Sequence, residues 1–364
     1  MLQSKSMQEL KQKKQLIDQF LIQYLDRSTS RFQSQSLSQV ALSHLSAFSI
    51  SGKSVRGGLF LLAAEALDSD NYQKHQADLL KVAAALELIQ SGLLIHDDII
   101  DRDAMRRDNK STWATYTAQT PNSTLSPEEK KHFGYSMAIC VGTIAQYLAF
   151  DLLEQLESLP EQTRSLLRQH ISREISRTYF AEMLDEQITV QEKQPSKEEV
   201  LEMYLYKTAR YTMVLPLALA AIAGQSSPET SQQLEKIGEK LGLIFQIKDD
   251  EISLFATQAH SGKSFASDLK NGKRTIFYLT VLENLSKTSP DQQTFSQLFG
   301  KTDLSDEEVS SLQKIFTKYA QPSIQKHLGE LEQASLQLID QLNATKETKK
   351  LLQEILFFSL KRDR

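Results

Sequence analysis

The amino-acid sequence predicts an all-helical protein, and two observations support this fold class. Glycine (13) and proline (8) are scarce in a chain of 364 residues. Apolar residues recur with the 3.6-residue helical period over 77–101, 136–157, 199–223, 231–256 and 273–285. The alternating runs bounded by turn pairs that indicate strands are missing from the sequence pattern. We therefore expect one domain over 1–364, with an N-terminal helical region at 1–45.

Capping signals mark where several of these helices begin. The run Ser126-Pro127-Glu128-Glu129 combines a serine cap, a proline in the first turn and a glutamate that returns to the cap. Ser196 with Glu199, and Ser305 with Glu308, form the same capping-box pattern. Loops are expected between the helices, at 109–127, 189–196, 257–272 and 286–304.

Composition excludes several classes of function. With a net charge of −4, the protein as a whole does not attract nucleic acid or an anionic membrane. A single cysteine, Cys140, excludes an intramolecular disulfide, and its apolar surroundings predict a buried, inert thiol. No apolar run approaches membrane-spanning length, and residues 1–20 are polar rather than a secretory signal. We therefore expect a cytoplasmic protein without a membrane span.

An acidic group follows an apolar helix in the stretch LLIHDDIIDRDAMRRD, residues 93–108. Asp97 and Asp101 are four residues apart and share one helical face, whereas Asp98 is turned about 100° away. The apolar turn at 93–95 predicts a helix that is buried up to its carboxylates, which then point into a cavity. A solvated acidic face is the alternative for such a pair.

The donor chemistry of this group points to magnesium and phosphate. Oxygen ligands without histidine or cysteine suit hard cations, and Mg²⁺ commonly bridges one or two carboxylates to substrate phosphates. Arg106 and Arg107 follow directly and are suited to bidentate phosphate binding. The stretch therefore predicts a site for a metal-bound phosphate ligand.

A second acidic group occurs in IFQIKDDEISLF, residues 244–255. Gln246, Asp249, Asp250 and Ser253 occupy one broad helical face. Two such helices that face each other could bind a diphosphate through several Mg²⁺ ions, as bundles build metal sites from facing side chains. Cations that could join them are Lys207 beside Thr208, Lys263 and Lys273 near glycines, and Lys53 with Arg56.

In combination these motifs resemble the all-trans isoprenyl diphosphate synthases, the polyprenyl synthetase family. The order from residue 50 to 275 is GKxxR, DDxxD followed by RR, KT, FQxxDD and GKxxxSDLxxGK. The resemblance implies an isoprenoid-synthase-type helical bundle around a deep central cavity, usually a homodimer. It also implies a Mg²⁺-dependent prenyltransferase that condenses isopentenyl diphosphate with an allylic diphosphate.

The resemblance assigns metal-binding roles to the aspartates of both motifs. Asp97 and Asp101 match the ligands of two Mg²⁺ ions, with Asp98 supporting them. Asp249 matches the ligand of a third ion, with Asp250 beside it. We take these five aspartates, together with two cations, as the catalytic set: Asp97, Asp98, Asp101, Arg106, Lys207, Asp249 and Asp250.

The family's two diphosphate sites map onto further positions. The positions that match the allylic site are Arg106, Lys207, Thr208, Gln246, Lys263 and Lys273. The positions that match the isopentenyl diphosphate pocket are Lys53, Arg56, Gln90 and Arg107. The ending FFSLKRDR resembles a basic tail that closes over the site in some members, which would bring in Arg362 or Arg364.

Product length is predicted from the turns before the first motif. In the family, bulky aromatics four or five residues before the motif stop chain growth early. Here Gly92 and Leu93 occupy those positions, and Ile89 lies one turn earlier. The resemblance therefore implies a product beyond C15, geranylgeranyl (C20) or longer, with Leu93 and Ile89 as a floor.

Departures from the family pattern leave two alternatives open. Ser253 stands where the second motif commonly has aspartate, and Asp108 replaces the glycine that commonly follows the arginine pair. One alternative is a class I terpene cyclase, although Thr257 stands where its second motif needs glutamate. The other is a degenerate, non-catalytic subunit of a heteromeric synthase.

Overall fold

The computed structural model describes residues 5–32, 36–255 and 267–362, and nearly all of them are helical. The predicted all-α fold class is confirmed. The chain falls into two compact units, Met1–Arg168 with Leu219–Ser226 and Gln169–Ala218 with Ser227–Arg364. Each unit is described by itself below, and the single domain expected over 1–364 stays a prediction.

The first unit is built around one long buried helix. Its elements in chain order are α1 (Lys5–Arg31), α2 (Ser38–Ile50), α3 (Val55–Leu67), α4 (Ser69–Ile100), β1 (Met105–Arg106), β2 (Asn109–Lys110), α5 (Thr112–Ala118) and α6 (Pro127–Glu154). Helix α4 begins at the cap of Asp68, whose side chain accepts from the Asn71 amide, and it packs mainly on α6 and α3. Its stretch Val82–Leu86 is fully buried.

Glycines allow α4 and α6 to cross closely. A Cβ atom at Gly92 would lie 2.6 Å from the carbonyl oxygen of Gly142 on α6. Gly92 therefore packs against the backbone of α6, and any side chain there would push the two helices apart. The chain-length role of Gly92 stays a prediction.

A buried carboxylate fixes the connection that follows α6. Asp78 of α4 accepts hydrogen bonds through Oδ2 from the backbone amides of Glu157, Ser158 and Leu159, at 2.9, 2.6 and 3.1 Å. Burial by itself raises the pKa of Asp78, but these bonds, the Ser158 hydroxyl and Lys81 outweigh it and hold the pKa below its usual value. The connection thus depends on the ionised carboxylate.

Asp78→Asn is expected to lower the free energy of unfolding at neutral pH by about 2 kcal/mol, because charge-assisted hydrogen bonds become neutral ones. A depressed folded-state pKa stabilises the fold fully above the usual value of 3.8, and this contribution is lost as the pH falls through the folded-state pKa. Urea unfolding of both proteins from neutral to acidic pH measures it. The difference between them should close below the usual value, whereas a constant difference would contradict this role.

The second unit is organised around α10. Its helices are the greater part of α7 (Glu161–Val190), α8 (Lys197–Tyr204), a π-helix (Leu205–Val214), the start of α9 (Leu215–Ala223), α10 (Pro228–Phe255), α11 (Ser267–Asn271), α12 (Ile276–Asn284), α13 (Pro290–Leu298), α14 (Asp306–Tyr319), α15 (Gln321–Gln341) and α16 (Lys346–Leu360). Helix α10 packs on the π-helix, α15 and α16. A Cβ at Gly242 would lie 2.4 Å from the Cα of Ala209, so glycine permits this close approach.

The predicted elements compare with the structure as follows. All three capping boxes, at Ser126, Ser196 and Ser305, are confirmed. The continuous helix expected over 199–223 contains ten residues of π-helix, which are the ones that carry Lys207 and Thr208. The expected loops 109–127, 257–272 and 286–304 are partly wrong, because they contain α5, α11 and α13.

The surface of α6 differs from the expectation in two ways. Cys140 is exposed rather than buried, and it lies beside exposed Ile139, Ile144 and Tyr147. Among the described residues, α4 and α6 are long and apolar enough to cross a membrane by length and composition alone. A core helix of a soluble protein passes the same test, and 67% of the α4 window is buried inside the protein. Apolar length alone therefore does not establish a membrane span.

Candidate active site

The end of α4 presents two adjacent aspartates in different environments. The side chain of Asp97 is 18% exposed, whereas that of Asp98 is fully buried. The sequence predicted that Asp97 and Asp101 enter a cavity and that Asp98 turns away. The structure shows that the buried carboxylate is Asp98. One turn before Asp98 on its helical face lies the buried Ile95, whereas one turn before Asp97 lies the half-exposed Leu93.

Arg106 bridges these two carboxylates. Its Nε donates to Asp98 Oδ1 at 2.5 Å, and its Nη2 donates to Asp97 Oδ2 at 3.0 Å. Burial raises the pKa of Asp98 to about 7 even though Arg106 acts in the opposite direction. The second carboxylate oxygen of Asp98 is buried without a hydrogen-bond partner. Asp98 therefore serves as the internal anchor of Arg106, while Asp97 stays partly exposed.

A short hairpin delivers Arg106 to this position. Strands β1 and β2 pair Met105 with Lys110 and Arg106 with Asn109. The turn residues Arg107 and Asp108 both have positive φ, 53° and 62°, which is the requirement of a type I′ turn. Aspartate is one of the few residues that tolerates this conformation, and this accounts for Asp108 where the family commonly has glycine. The Trp113 indole donates to the carbonyls of Asp98 and Asp103 and closes the end of α4.

The predicted isopentenyl diphosphate residues of the first unit share a buried carboxylate. Glu87 of α4 accepts from the Gly57 amide at 2.7 Å, and the charges of Arg56 and Arg107 both act on it. Its burial raises its pKa, and the two arginines partly offset this. Sequence reasoning missed Glu87, although a lone acid in the apolar run KVAAALELIQ was a usable signal.

The remaining predicted members of this group lie around the same helix ends. The Arg107 Nη1 donates to the Phe48 carbonyl at 3.1 Å and to Ser51 Oγ at 2.8 Å. Lys53 is exposed just before the N-terminus of α3, and Gln90 is half-buried one turn after Glu87. The structure thus brings Arg56 and Arg107 together through Glu87.

In the second unit, two of the predicted lysines meet at one buried carboxylate. Asp185 Oδ2 accepts from Lys207 Nζ at 2.6 Å and from Lys273 Nζ at 3.4 Å. Burial alone raises the pKa of Asp185, but the two lysines outweigh it and lower the pKa. Lys207 also donates to Glu182 at 2.9 Å. Sequence reasoning missed both acids because the run AEMLDEQ looks like an ordinary solvated helix face.

The paired aspartates of α10 also differ in environment. Asp249 is 54% exposed, whereas Asp250 is buried. Asp250 accepts from the Tyr204 hydroxyl and from Gln246 Nε2, the latter at 2.7 Å. Burial raises the pKa of Asp250 well above its usual value, and the nearby charges of Asp268 and Asp249 act in the same direction. The structure therefore assigns Gln246 to Asp250 and leaves Asp249 facing solvent.

The donor set fits a metal that is completed by a ligand. Within residues 5–32, 36–255 and 267–362, no group of three or more histidine, cysteine, aspartate and glutamate side chains is placed to hold a metal ion. Mg²⁺ is commonly bound through one or two carboxylates, several waters and substrate phosphates. The partly exposed side chains of Asp97, Asp101 and Asp249 suit that arrangement. The buried Asp98 and Asp250 do not.

The other predicted positions have simpler outcomes. Thr208 is half-buried in the π-helix next to Lys207. Lys263 and Arg364 lie outside the described residues. Ile89 is buried on α4, and Leu93 is half-buried one turn closer to Asp97.

Comparisons with known proteins identify the family of this chain. A family model described as polyprenyl synthetase matches residues 38–316. A short chain isoprenyl diphosphate synthase of Methanothermobacter thermautotrophicus is 28% identical over 83% of this chain and 81% of its own length. A geranylgeranyl diphosphate synthase of Methanosarcina mazei is 27% identical over 76% of each chain.

A solved structure shows the same similarity in three dimensions. The geranylgeranyl pyrophosphate synthase of Corynebacterium glutamicum, determined with isoprenyl diphosphate and magnesium, has a TM-score of 0.88 and 25% identity. The match covers 96% of this chain and 98% of that protein.

Proposed function

The chain belongs to the polyprenyl synthetase family and is an isoprenyl diphosphate synthase, and on that premise we propose its reaction in detail. It condenses isopentenyl diphosphate with an allylic diphosphate in a Mg²⁺-dependent reaction and releases an all-trans product of C20 or longer. The observation that carries this proposal is the end of α4, where a solvent-facing Asp97 stands beside a buried Asp98–Arg106 pair. That arrangement offers carboxylate oxygens for a metal and a cation for a diphosphate.

Asp97, Asp101 and Asp249 would hold the metal, and three ions per active site follow from the family pattern. Bound Mg²⁺ supplies positive charge to a departing diphosphate. Lys207 and Lys273 add fixed positive charge, and Asp185 restrains both amino groups. Lys263 and Thr208 belong to the same proposed allylic set, although the contact of Lys263 lies outside the described residues.

The organic steps need no dedicated protein base. The allylic carbon–oxygen bond breaks, the isopentenyl double bond forms a new carbon–carbon bond at that carbon, and one proton is lost. Charge that develops on the released diphosphate makes it a suitable acceptor for the proton. Arg56 and Arg107 both interact electrostatically with Glu87. Together with Lys53 and Gln90, these arginines would orient the isopentenyl diphosphate.

Asp185→Asn is expected to raise the KM for the allylic diphosphate about tenfold, because it releases both lysines from their shared carboxylate. The KM for isopentenyl diphosphate should change less than twofold. Steady-state kinetics with each substrate varied in turn measure this split. Glu186→Gln is a matched control, since Glu186 lies 3.6 Å from Lys273 and is more exposed. Equal effects of Asp185→Asn on both KM values would contradict the assignment.

Product length is better tested at Leu93 than at Gly92. Leu93 lies four residues before Asp97 on the same face of α4, with Ile89 one further turn back. Leu93→Phe is expected to shift the product distribution at least one isoprene unit shorter, because the larger ring fills the path next to the diphosphate. Mass spectrometry of the dephosphorylated products measures it. An unchanged distribution would remove Leu93 and Ile89 as the floor.

The proposed reaction is tested with purified protein, Mg²⁺, radiolabelled isopentenyl diphosphate and dimethylallyl, geranyl or farnesyl diphosphate. We expect label in prenyl diphosphates of C20 or longer, and none when the metal is chelated. Hydrocarbon released from farnesyl diphosphate alone would favour a terpene cyclase. No product with any primer would favour a non-catalytic subunit.

We also propose that the protein is a homodimer, as is typical of the family. The exposed Ile139, Ile144 and Tyr147 of α6 offer an apolar surface suited to a second copy. Sedimentation equilibrium of the wild-type protein tests this, and a monomeric mass at micromolar concentration would contradict it.

A further inference from the structure

Arg362, two residues after α16, binds the acidic group of α10. Its Nη2 donates to Asp249 Oδ1 at 3.0 Å. Its guanidinium carbon lies 3.8 Å from the centroid of the Phe245 ring, which is within the range of a cation–π contact. Phe245 and Asp249 are four residues apart on α10 and therefore lie on one helical face.

The burial of the two partners is unequal. The Arg362 side chain is 10% exposed, whereas the Asp249 side chain is 54% exposed. The arginine is thus packed against the helix, while the carboxylate that it contacts still faces water. One oxygen of Asp249 is paired with Arg362, and this is the residue proposed above as a metal ligand.

The surroundings of Asp249 are acidic. Asp250 follows it on α10, and Asp268 of α11 is close enough for its charge to act on Asp250. Neighbouring carboxyl groups disfavour each other's ionised form unless a cation is present. Arg362 is a cation that the structure places there, and Mg²⁺ would satisfy the same electrostatic need.

The arginine contact is only partly satisfied. Arg362 Nη1 is buried and has no hydrogen-bond partner. Arginine binds a carboxylate most strongly through two parallel hydrogen bonds, and here a single one is formed. A buried donor without an acceptor also costs free energy. The contact is therefore weaker than a two-point pair and can be exchanged for another cation at little cost.

We propose that Arg362 is an internal counter-ion that competes with divalent cations for Asp249. Metal binding at Asp249 then releases Arg362 and the residues around it from α10, because two cations on one carboxylate repel each other. This inference rests on the proposed function only in taking Asp249 as a metal ligand. The exchange of Arg362 for a metal ion differs from closure of a chain segment over bound substrate, because it takes place in the free protein before any diphosphate binds.

Mn²⁺ binding to the free protein tests the competition without reference to turnover. Mn²⁺ accepts the same carboxylate and water ligands as Mg²⁺, and its free concentration is read by electron paramagnetic resonance. The variants are Arg362→Gln, Asp249→Asn, both together, and Lys361→Gln as the matched control. Lys361 is exposed, and its substitution removes the same charge one residue earlier in the chain. Circular dichroism and thermal melting establish that each variant is folded.

Arg362→Gln is expected to bind one Mn²⁺ about fivefold more tightly than the wild type, the effect of removing a partly exposed ion pair. Lys361→Gln should stay within twofold of the wild type. Asp249→Asn should lack this Mn²⁺ site, and adding Arg362→Gln to Asp249→Asn should leave the affinity for Mn²⁺ unchanged. Hydrogen exchange at the end of α16 should rise with Mn²⁺ in the wild type and not in Asp249→Asn.

Three results would overturn the proposal. They are equal affinities of Arg362→Gln and Lys361→Gln, tightening that persists in the Asp249→Asn background, and no Mn²⁺ binding by either the wild type or Arg362→Gln. These results are separable from the proposed reaction. If the wild type transfers prenyl groups but Arg362→Gln and Lys361→Gln bind Mn²⁺ equally tightly, only the counter-ion proposal is contradicted. If Arg362 competes with Mn²⁺ but the wild type transfers no prenyl group, only the proposed reaction is contradicted.

Discussion

Asp97→Asn is expected to lower kcat about 10³-fold, because it removes a negatively charged ligand from the metal that stabilises the departing diphosphate. The side chain keeps its size, and Arg106 keeps its second partner, Asp98. The free energy of unfolding should therefore change by less than about 1 kcal/mol. Radiolabel incorporation at saturating substrates measures turnover, and urea unfolding measures stability.

The control for this variant is an exposed carboxylate of the same unit. Asp26 of α1 is exposed, and Asp26→Asn should leave both turnover and stability unchanged. Turnover of Asp97→Asn within tenfold of the wild type would remove Asp97 from the proposed metal ligands. A large loss of stability instead would mean that Asp97 acts mainly through the fold.

Arg106→Gln is expected to lower the free energy of unfolding by about 1–2 kcal/mol, because Asp98 loses its charge-assisted hydrogen bond and takes up a proton once its counter-ion is gone. Asp98 is fully buried, and Arg106 is the cation on it. The same substitution should also strongly reduce turnover, since Arg106 is proposed to contact the allylic diphosphate. Stability is measured by urea unfolding at neutral pH.

The double variant Arg106→Gln/Asp98→Asn separates the two effects. Asparagine at position 98 removes the cost of protonating the buried carboxylate, so most of the lost stability should return. Turnover should stay low, because the cation for the diphosphate is still missing. Recovery of turnover together with stability would show that Arg106 acts only through the fold, and an unchanged low stability would show that Asp98 is not its anchor.

Local signals in the sequence were enough for most of the fold. The helical period located α4, α6, α10 and α12, and the capping boxes placed the starts of α6, α8 and α14 because capping depends on neighbouring residues only. Helix α13 was missed because residues 286–304 are too polar to show a period. Its start at Ser289-Pro290 nevertheless carries the capping signal that was recognised elsewhere.

The candidate site was located by sequence, but its internal arrangement was not. Apolar residues lie one turn before both Asp97 and Asp98, so periodicity could not tell which aspartate is buried. The structure assigns burial to Asp98 and exposure to Asp97. It likewise shows that Gly92 packs on Gly142, a contact between residues fifty positions apart.

The positioning carboxylates required tertiary information. Asp185 is 22 residues from Lys207 and 88 residues from Lys273 in the chain, and only folding brings them together. Glu87 and Arg107 come from different elements in the same way. The deep central cavity and the single-domain organisation stay predictions.

The central proposal is that Asp97, Asp101 and Asp249 are ligands of the metal ions that hold the allylic diphosphate. The most direct measurement is a crystal structure with Mg²⁺ and an unreactive allylic thiolodiphosphate, whose sulfur replaces the oxygen that links the prenyl chain to the diphosphate. We predict Mg²⁺ at about 2.1 Å from carboxylate oxygens of all three residues, with diphosphate oxygens completing each coordination sphere. A diphosphate bound without metal at these aspartates would contradict the account.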